Sequence, residues 1–280
     1  MSKNKILVIG HSVLDKIHSG DKTETKPGGI FFSTLGFIAS EFKNEIYLLT
    51  SLTKENEKFF RSIYSQINLL PNYLTDKMPI NHLYIYANKE RDEVYEYIPE
   101  PLDIGRAGDL NTYDAIYLNM ISGFDVTLET LTEIRKNYNG VIYIDIHTLS
   151  RGVFKNNKRI FRTIPDGIKW ISNGDFVQVN NTELKMLSDE LGESDIVREF
   201  FKSGGKGFII TESKNGAKGY FEKEGEIEFA QIRPPKVSEK ECVGCGDYFG
   251  ASFLSEYMHS GDFLSALNYA TLKSSQFSAK

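Results

Sequence analysis

Short apolar runs of four to six residues, each followed by a polar or amphipathic stretch, fill the second half of the chain. They limit its fold more than any other feature. Residues 115–119, 141–146, 176–179 and 207–211 are such runs. Helical periodicity occupies 127–136, 182–191 and 195–202. An apolar run of this length reads as a strand buried on both faces, and alternation with helices implies βαβ units and a parallel sheet covered on both sides. The first half adds an apolar strand at 5–9 ending at Gly10, a helix over 31–42 behind Pro27-Gly28-Gly29, a strand at 46–50 and a helix within 54–67.

Residues 80–98 differ. Polar residues alternate there with Leu83, Ile85, Val94, Tyr95 and Tyr97 around a charged centre, the pattern of a hairpin with one wet face. The polar segment 15–26 is expected to pair with it, making a lid of about residues 15–27 and 80–98. Strands at 217–221 and 226–229 then precede Gly244-Cys245-Gly246-Asp247 and two final helices. No repeat or linker divides the chain, so residues 1–280 are expected to form one domain.

With 40% hydrophobic and 25% charged residues, disorder is excluded and a sizeable core is affordable. A net charge of -5 gives no general drive toward nucleic acid or an anionic membrane. No apolar run approaches the roughly 20 residues of a membrane span. The run 6–9 is too short for a signal-peptide core, and two cysteines suit a reducing compartment, so a cytoplasmic location is expected.

The strongest local signal is Glu241 to Asp247 ahead of a helical run. Glycines before a helix start let backbone N–H groups converge on an anion, aided by the helix dipole. A carboxylate there would repel a phosphate unless it accepts a proton from an attacking hydroxyl; the bland alternative is that Asp247 caps the helix. Cys242-x-x-Cys245 has no second cysteine pair and no ligand-spaced histidines, which argues against zinc. Asn180 and Glu183 follow a strand and read as a capping pair or as groups beside metal-bound phosphate. Asp15 after the first strand is a turn residue or a ligand for hydroxyls. Gly28-Gly29 allow a close backbone approach or a tight turn. Thr211 to Gly216 contains the turn signal Asn-Gly, and Asp145-x-His147 favours local hydrogen bonding.

Taken in order, these pieces resemble the ribokinase-like (PfkB-type) carbohydrate kinases over nearly the whole chain. The resemblance implies a three-layer αβα sandwich with a mostly parallel sheet and a small β lid. It implies an ATP- and Mg2+-dependent transfer to a hydroxyl, a hydroxymethyl group above all, of a sugar or sugar-like substrate. Carried over residue by residue, Asp247 is the base, and Gly244, Cys245 and Gly246 form the anion hole. Asp15, Gly28, Gly29 and Ser33 bind substrate. Thr211, Ser213 and Gly216 bind nucleotide, and Asn180 and Glu183 serve the metal through water. A monovalent-cation site and a homodimer through the lid also belong to the family. The chain departs from the family pattern at Ser33, Ser213, Glu241 and Cys245. Nucleoside kinases share these motifs, and a non-catalytic ligand-binding or regulatory protein is the rival from another class. A nicotinamide oxidoreductase is disfavoured because His11-Ser12-Val13, not further glycines, follow Gly10.

Overall fold

The computed structural model describes residues 3–86, 91–235 and 243–279. β1 (Lys5–Ile9) runs into a hairpin of β2 (Ser12–Ser19) and β3 (Lys22–Gly29). α1 (Ile30–Ala39), β4 (Glu45–Leu49), α2 (Glu57–Tyr64) and a short β5 (Asn68–Leu69) follow. Next come β6 (Ile80–Tyr84), β7 (Asp92–Tyr95), β8 (Ala115–Asn119), α3 (Leu128–Asn137) and β9 (Val141–Asp145). β10 (Arg151–Val153), β11 (Lys158–Phe161), α4 (Gly167–Ile171), β12 (Phe176–Asn180), α5 (Asn181–Met186) and α6 (Glu193–Lys202) continue the chain. β13 (Gly207–Thr211), β14 (Ala217–Lys223), β15 (Glu226–Ile232), α7 (Cys245–Ser260) and α8 (Phe263–Ser278) complete it.

The main sheet has the order β15-β14-β13-β12-β9-β8-β1-β4-β5. Pairing is parallel from β5 to β13, and β14 and β15 add an antiparallel edge. Each central strand is apolar on both faces because each face is covered. Leu7, Ile9, Ile116, Ile142 and Val177 pack with Leu131 of α3, Ile171 of α4 and Phe200 of α6. Ile6, Val8, Tyr117, Tyr143 and Phe176 pack with Phe37 of α1, Phe60 of α2, Phe253 of α7 and Leu267 of α8. The three-layer αβα arrangement expected from the sequence is therefore present.

The second sheet, β10-β11-β7-β6-β2-β3, is the lid. β2 pairs antiparallel with β3 and parallel with β6, and β6 pairs antiparallel with β7. It also takes in β10 and β11, which periodicity left unassigned. Two helices end earlier than their pattern predicts. Ser40 Oγ accepts from Phe42 N at 3.1 Å, and Ser188 Oγ accepts from Glu190 N and Leu191 N at 3.2 Å each. Serine hydroxyls offer the backbone an alternative to the next helical turn, which stops α1 at Ala39 and α5 at Met186.

Candidate active site

β1 sits where the strand order reverses, with β4 on one side and β8 on the other. Open α/β sheets bind ligands in the crevice outside the strand C-termini at such a point. The carboxyl ends of β8, β9, β12 and β13 carry Asn119, Asp145, Asn180 and Thr211. β2 leaves β1 after two residues and carries Asp15 over the same crevice. Between sheet and lid lies a cavity of about 1000 Å3. Asp15, Gly29, Asn180, Glu183, Thr211, Ser213, Gly216, Gly244, Cys245, Gly246 and Asp247 all line it.

On the sheet side, Gly244 is the residue before α7 and has φ +84. A side chain there would be strained, and its Cβ would stand 2.2 Å from the Phe32 ring, so only glycine fits. Among the described residues no side chain caps α7, so Asp247 is not its cap. The Asp247 carboxylate is buried and instead accepts from Asn119 Nδ2 at 2.6 Å. Tyr117 donates its hydroxyl proton to the Asp247 carbonyl at 3.4 Å. Gln178 Nε2 donates to the Gly246 carbonyl at 3.1 Å and to Asp145 Oδ2 at 2.9 Å, while Tyr143 fixes the other end of that amide at 2.6 Å. The first turn of α7 is thus pinned to β8 and β12, with β9 holding the Gln178 amide. Residues 236–242, including Glu241 and Cys242, lie outside the described residues; Cys245 carries no free thiol.

On the lid side, Asp15, Asn81 and Tyr95 stand in one row across β2, β6 and β7. Among the described residues no group hydrogen-bonds the Asp15 carboxylate. Burial, reinforced by Glu93 and Asp247 and opposed by Arg91, pushes its pKa up to about 7. Glu93 is buried beside Arg91 Nε at 3.0 Å and Arg151 at 3.7 Å, and these two guanidinium groups hold it below the usual carboxylate range.

On the far side, Asn180 and Glu183 form the full capping box of α5. Asn180 Oδ1 accepts from Thr182 N and Glu183 N, and Glu183 Oε2 accepts from Asn180 N at 2.8 Å. The bland reading is realised, yet both side chains still face the cavity. Burial raises Glu183 to about 8, with Asp247 adding to the rise and Asn180 N–H and Arg151 opposing it. Burial, then the charges of Glu183 and Asp247, push Asp145 well above the carboxylate range. Among the described residues no three His, Cys, Asp or Glu side chains come together as a direct metal site. These carboxylates fit a hydrated cation held with donor phosphates rather than a protein-only cage. The 211–216 loop is the turn between antiparallel β13 and β14, as Asn-Gly suggested, and it borders the cavity as well.

Two expected substrate contacts are placed differently. Ser33 is fully buried, accepts from Asn119 Nδ2 at 3.1 Å and does not line the cavity. It sits on the inner side of α1, one turn into a helix packed on the sheet. Gly28 is not a wall residue either; a Cβ there would lie 1.9 Å from Asp15 Oδ2, so it makes room for that carboxylate. Sequence reading missed Asn81, Glu93, Asn119 and Gln178. His147, with φ +38 and Nε2 3.9 Å from Asp247 Oδ1, was marked only as a local partner.

No family model and no curated protein sequence matches the chain. Solved structures do match. The class that fold and site define is the doubly wound αβα domain whose strand C-termini are covered by a β lid. Within that class the chain has the ribokinase-like fold. A sulfate complex of a pyrophosphate-dependent kinase in the ribokinase family shares it at a TM-score of 0.74 and 15% identity, over 97% of this chain and 93% of that one. Ribokinase of Arabidopsis thaliana, solved with ribose and ATP, shares it at 0.71 and 14%, over 98% and 92%. Aminoimidazole riboside kinase of Salmonella enterica shares it at 0.70 and 17%, over 97% and 92%. Among the described residues no helix is long and apolar enough to cross a membrane.

Proposed function

We propose that the chain is a kinase that transfers the terminal phosphoryl group of Mg-ATP to a hydroxymethyl group of a sugar or sugar-like acceptor. The observation that carries this reading is Asp247: a buried carboxylate in the first turn of α7, engaged by a strand-end amide instead of capping its own helix. It shares one cavity with the lid carboxylate Asp15.

In this reading Asp15 and the lid hold the acceptor, and the N–H groups of Gly244, Cys245 and Gly246 receive the transferring phosphoryl group. The acceptor hydroxyl gives its proton to Asp247 while its oxygen forms the new P–O bond. The bridging P–O bond of the donor breaks, and ADP leaves with that electron pair. Thr211, Ser213 and Gly216 border the nucleotide end. Among the described residues the cavity is lined by six carboxyl groups, Asp15, Glu93, Asp145, Glu183, Glu212 and Asp247, and by Arg91, Arg151, Lys214 and His147. Burial holds Asp15, Asp145 and Glu183 toward their neutral forms, so the wall has little net charge of its own and the charge of a polyphosphate donor has to be met by a cation. Mg2+, with Asn180 and Glu183 reaching it through water, would neutralise donor charge there. A homodimer through the lid belongs to the same reading, and a single-chain mass by light scattering removes that part.

The test is product release from Mg-ATP, and in parallel from pyrophosphate, across a panel of sugars, polyols and nucleosides. Pyrophosphate is the second donor because pyrophosphate-dependent kinases are among the matched structures. Acceptor-dependent turnover that falls about 10²–10⁴-fold in Asp247→Asn supports the reading. Turnover unchanged in that variant removes Asp247 from the chemistry. Saturable acceptor binding with no turnover on either donor favours the non-catalytic rival.

A further inference from the structure

Asn119 ends β8, is fully buried and is not part of the cavity wall. Its amide nitrogen nevertheless makes the shortest contact to the Asp247 carboxylate, 2.6 Å to Oδ1, with a second bond to Ser33 Oγ at 3.1 Å. Among the described residues its own Oδ1 has no hydrogen-bond partner. Burying an acceptor unpaired is costly, and turning the amide over would give Oδ1 the Ser33 hydroxyl as a donor. That turn would also set two acceptors 2.6 Å apart at Asp247 and force a proton onto the carboxylate. In the orientation present, Nδ2 faces Asp247 and the carboxylate accepts through Oδ1.

We propose that Asn119 is a positioning residue. Its side-chain N–H anchors one carboxylate oxygen of Asp247 and leaves Oδ2 for the acceptor hydroxyl. Ser33 supports the amide from α1, with its hydroxyl 3.5 Å from that of Tyr117. This assignment rests on Asp247 being the base. It also gives Ser33 a role other than substrate contact.

A donor bond to a carboxylate favours the charged form, so its loss raises the affinity of Asp247 for a proton. The other titratable groups around Asp247 are Asp15 on β2, Tyr117 on β8, Asp145 on β9, His147 just after β9 and Glu183 on α5. They stay in place in an Asn119 variant, so a shift on substitution reports the lost bond.

The experiment titrates protein labelled with 13C at the aspartate carboxyl carbons, with the Asp247 signal assigned by its absence in Asp247→Asn. In Asn119→Ala the Asp247 titration is expected to move up by roughly half a unit or more. The acid limb of kcat should move with it, kcat at neutral pH should fall about tenfold or more, and KM for either substrate should stay within about threefold. Asn119→Ser, which keeps a hydroxyl donor at shorter reach, is expected to fall between the two and replaces Asn119→Ala if that variant does not fold. An unmoved Asp247 titration in a folded variant overturns the assignment, and a loss of melting temperature alone would mark Asn119 as structural. If the titration moves while turnover ignores it, the base role of Asp247 fails and the anchoring bond stands.

Discussion

At the residue scale the site is a set of carboxyl groups held against their ordinary preference for water. Asp15 shows what that implies without substrate. Its ordinary value is near 4 and its folded value about 7, so between these the folded chain keeps a proton that the unfolded chain has released. Stability must then fall as pH rises through that window. Asp15→Asn removes the loss: its unfolding free energy should match that of the native protein near pH 4 and exceed it at pH 8, by no more than a few kcal/mol at about 1.4 kcal/mol per unit. Parallel pH curves for the two proteins would show that Asp15 is not desolvated. Gly28→Ala tests the same carboxylate from behind. The added Cβ displaces Asp15, so acceptor KM should rise about tenfold or more while donor KM holds; equal changes in both would count against Asp15 as an acceptor ligand. Asp247 was legible in the sequence because Gly-Cys-Gly-Asp before a helix is a local pattern. Asn119 was not, because its partner lies 128 positions away and only the packing of α7 on β8 joins them.

At the element scale, function depends on how strand ends and helix starts meet. α5 begins with a capping box that also fixes two polar side chains at the cavity, so capping does not take Asn180 and Glu183 away from the site. The lid is tied to the sheet by Arg159 of β11, which donates to the carbonyls of Ser122 at 2.6 Å, Thr148 at 3.2 Å and Arg151 at 2.5 Å. Arg159→Met removes all three donated bonds, leaving Thr148 O only the Arg151 N–H, so it should cost about 2 kcal/mol and lower the melting temperature by roughly 4–8 °C. A melting temperature within a degree of native would show that the tether contributes nothing. β10 and β11 escaped the sequence reading, although Asn156 and Asn157, both with positive φ, form the tight turn that joins them. An Asn-Asn pair between alternating apolar residues was the available signal.

At the scale of the whole molecule, one sheet supplies a rigid base and the other a cover, with the cavity where they face each other. The β1, β8, β9 and β12 backbone is buried under helices on both sides, whereas β6 and β7 have only one packed face. Acceptor binding should therefore slow amide exchange in β6 and β7 and leave β8 and β9 unchanged. Protection confined to the main sheet would place the acceptor away from the lid.

By itself the sequence determined the layers. Apolar runs at strand length, with helical stretches between them, allow little except a covered parallel sheet, because each run must hide both faces from water. It also marked Gly244 to Asp247, Asn180 to Glu183 and Asp15, whose signals lie within a few residues. Tertiary structure alone decided which groups confront each other across the crevice. Asp15 rises toward neutrality because Glu93, Asp247 and burial meet there, and Ser33 turns inward because α1 packs on β8. Asn119 holds Asp247 because β8 ends beneath the first turn of α7. Charge and hydrogen bonding act through space, and spacing along the chain carries no record of distances that only the packed sheet creates.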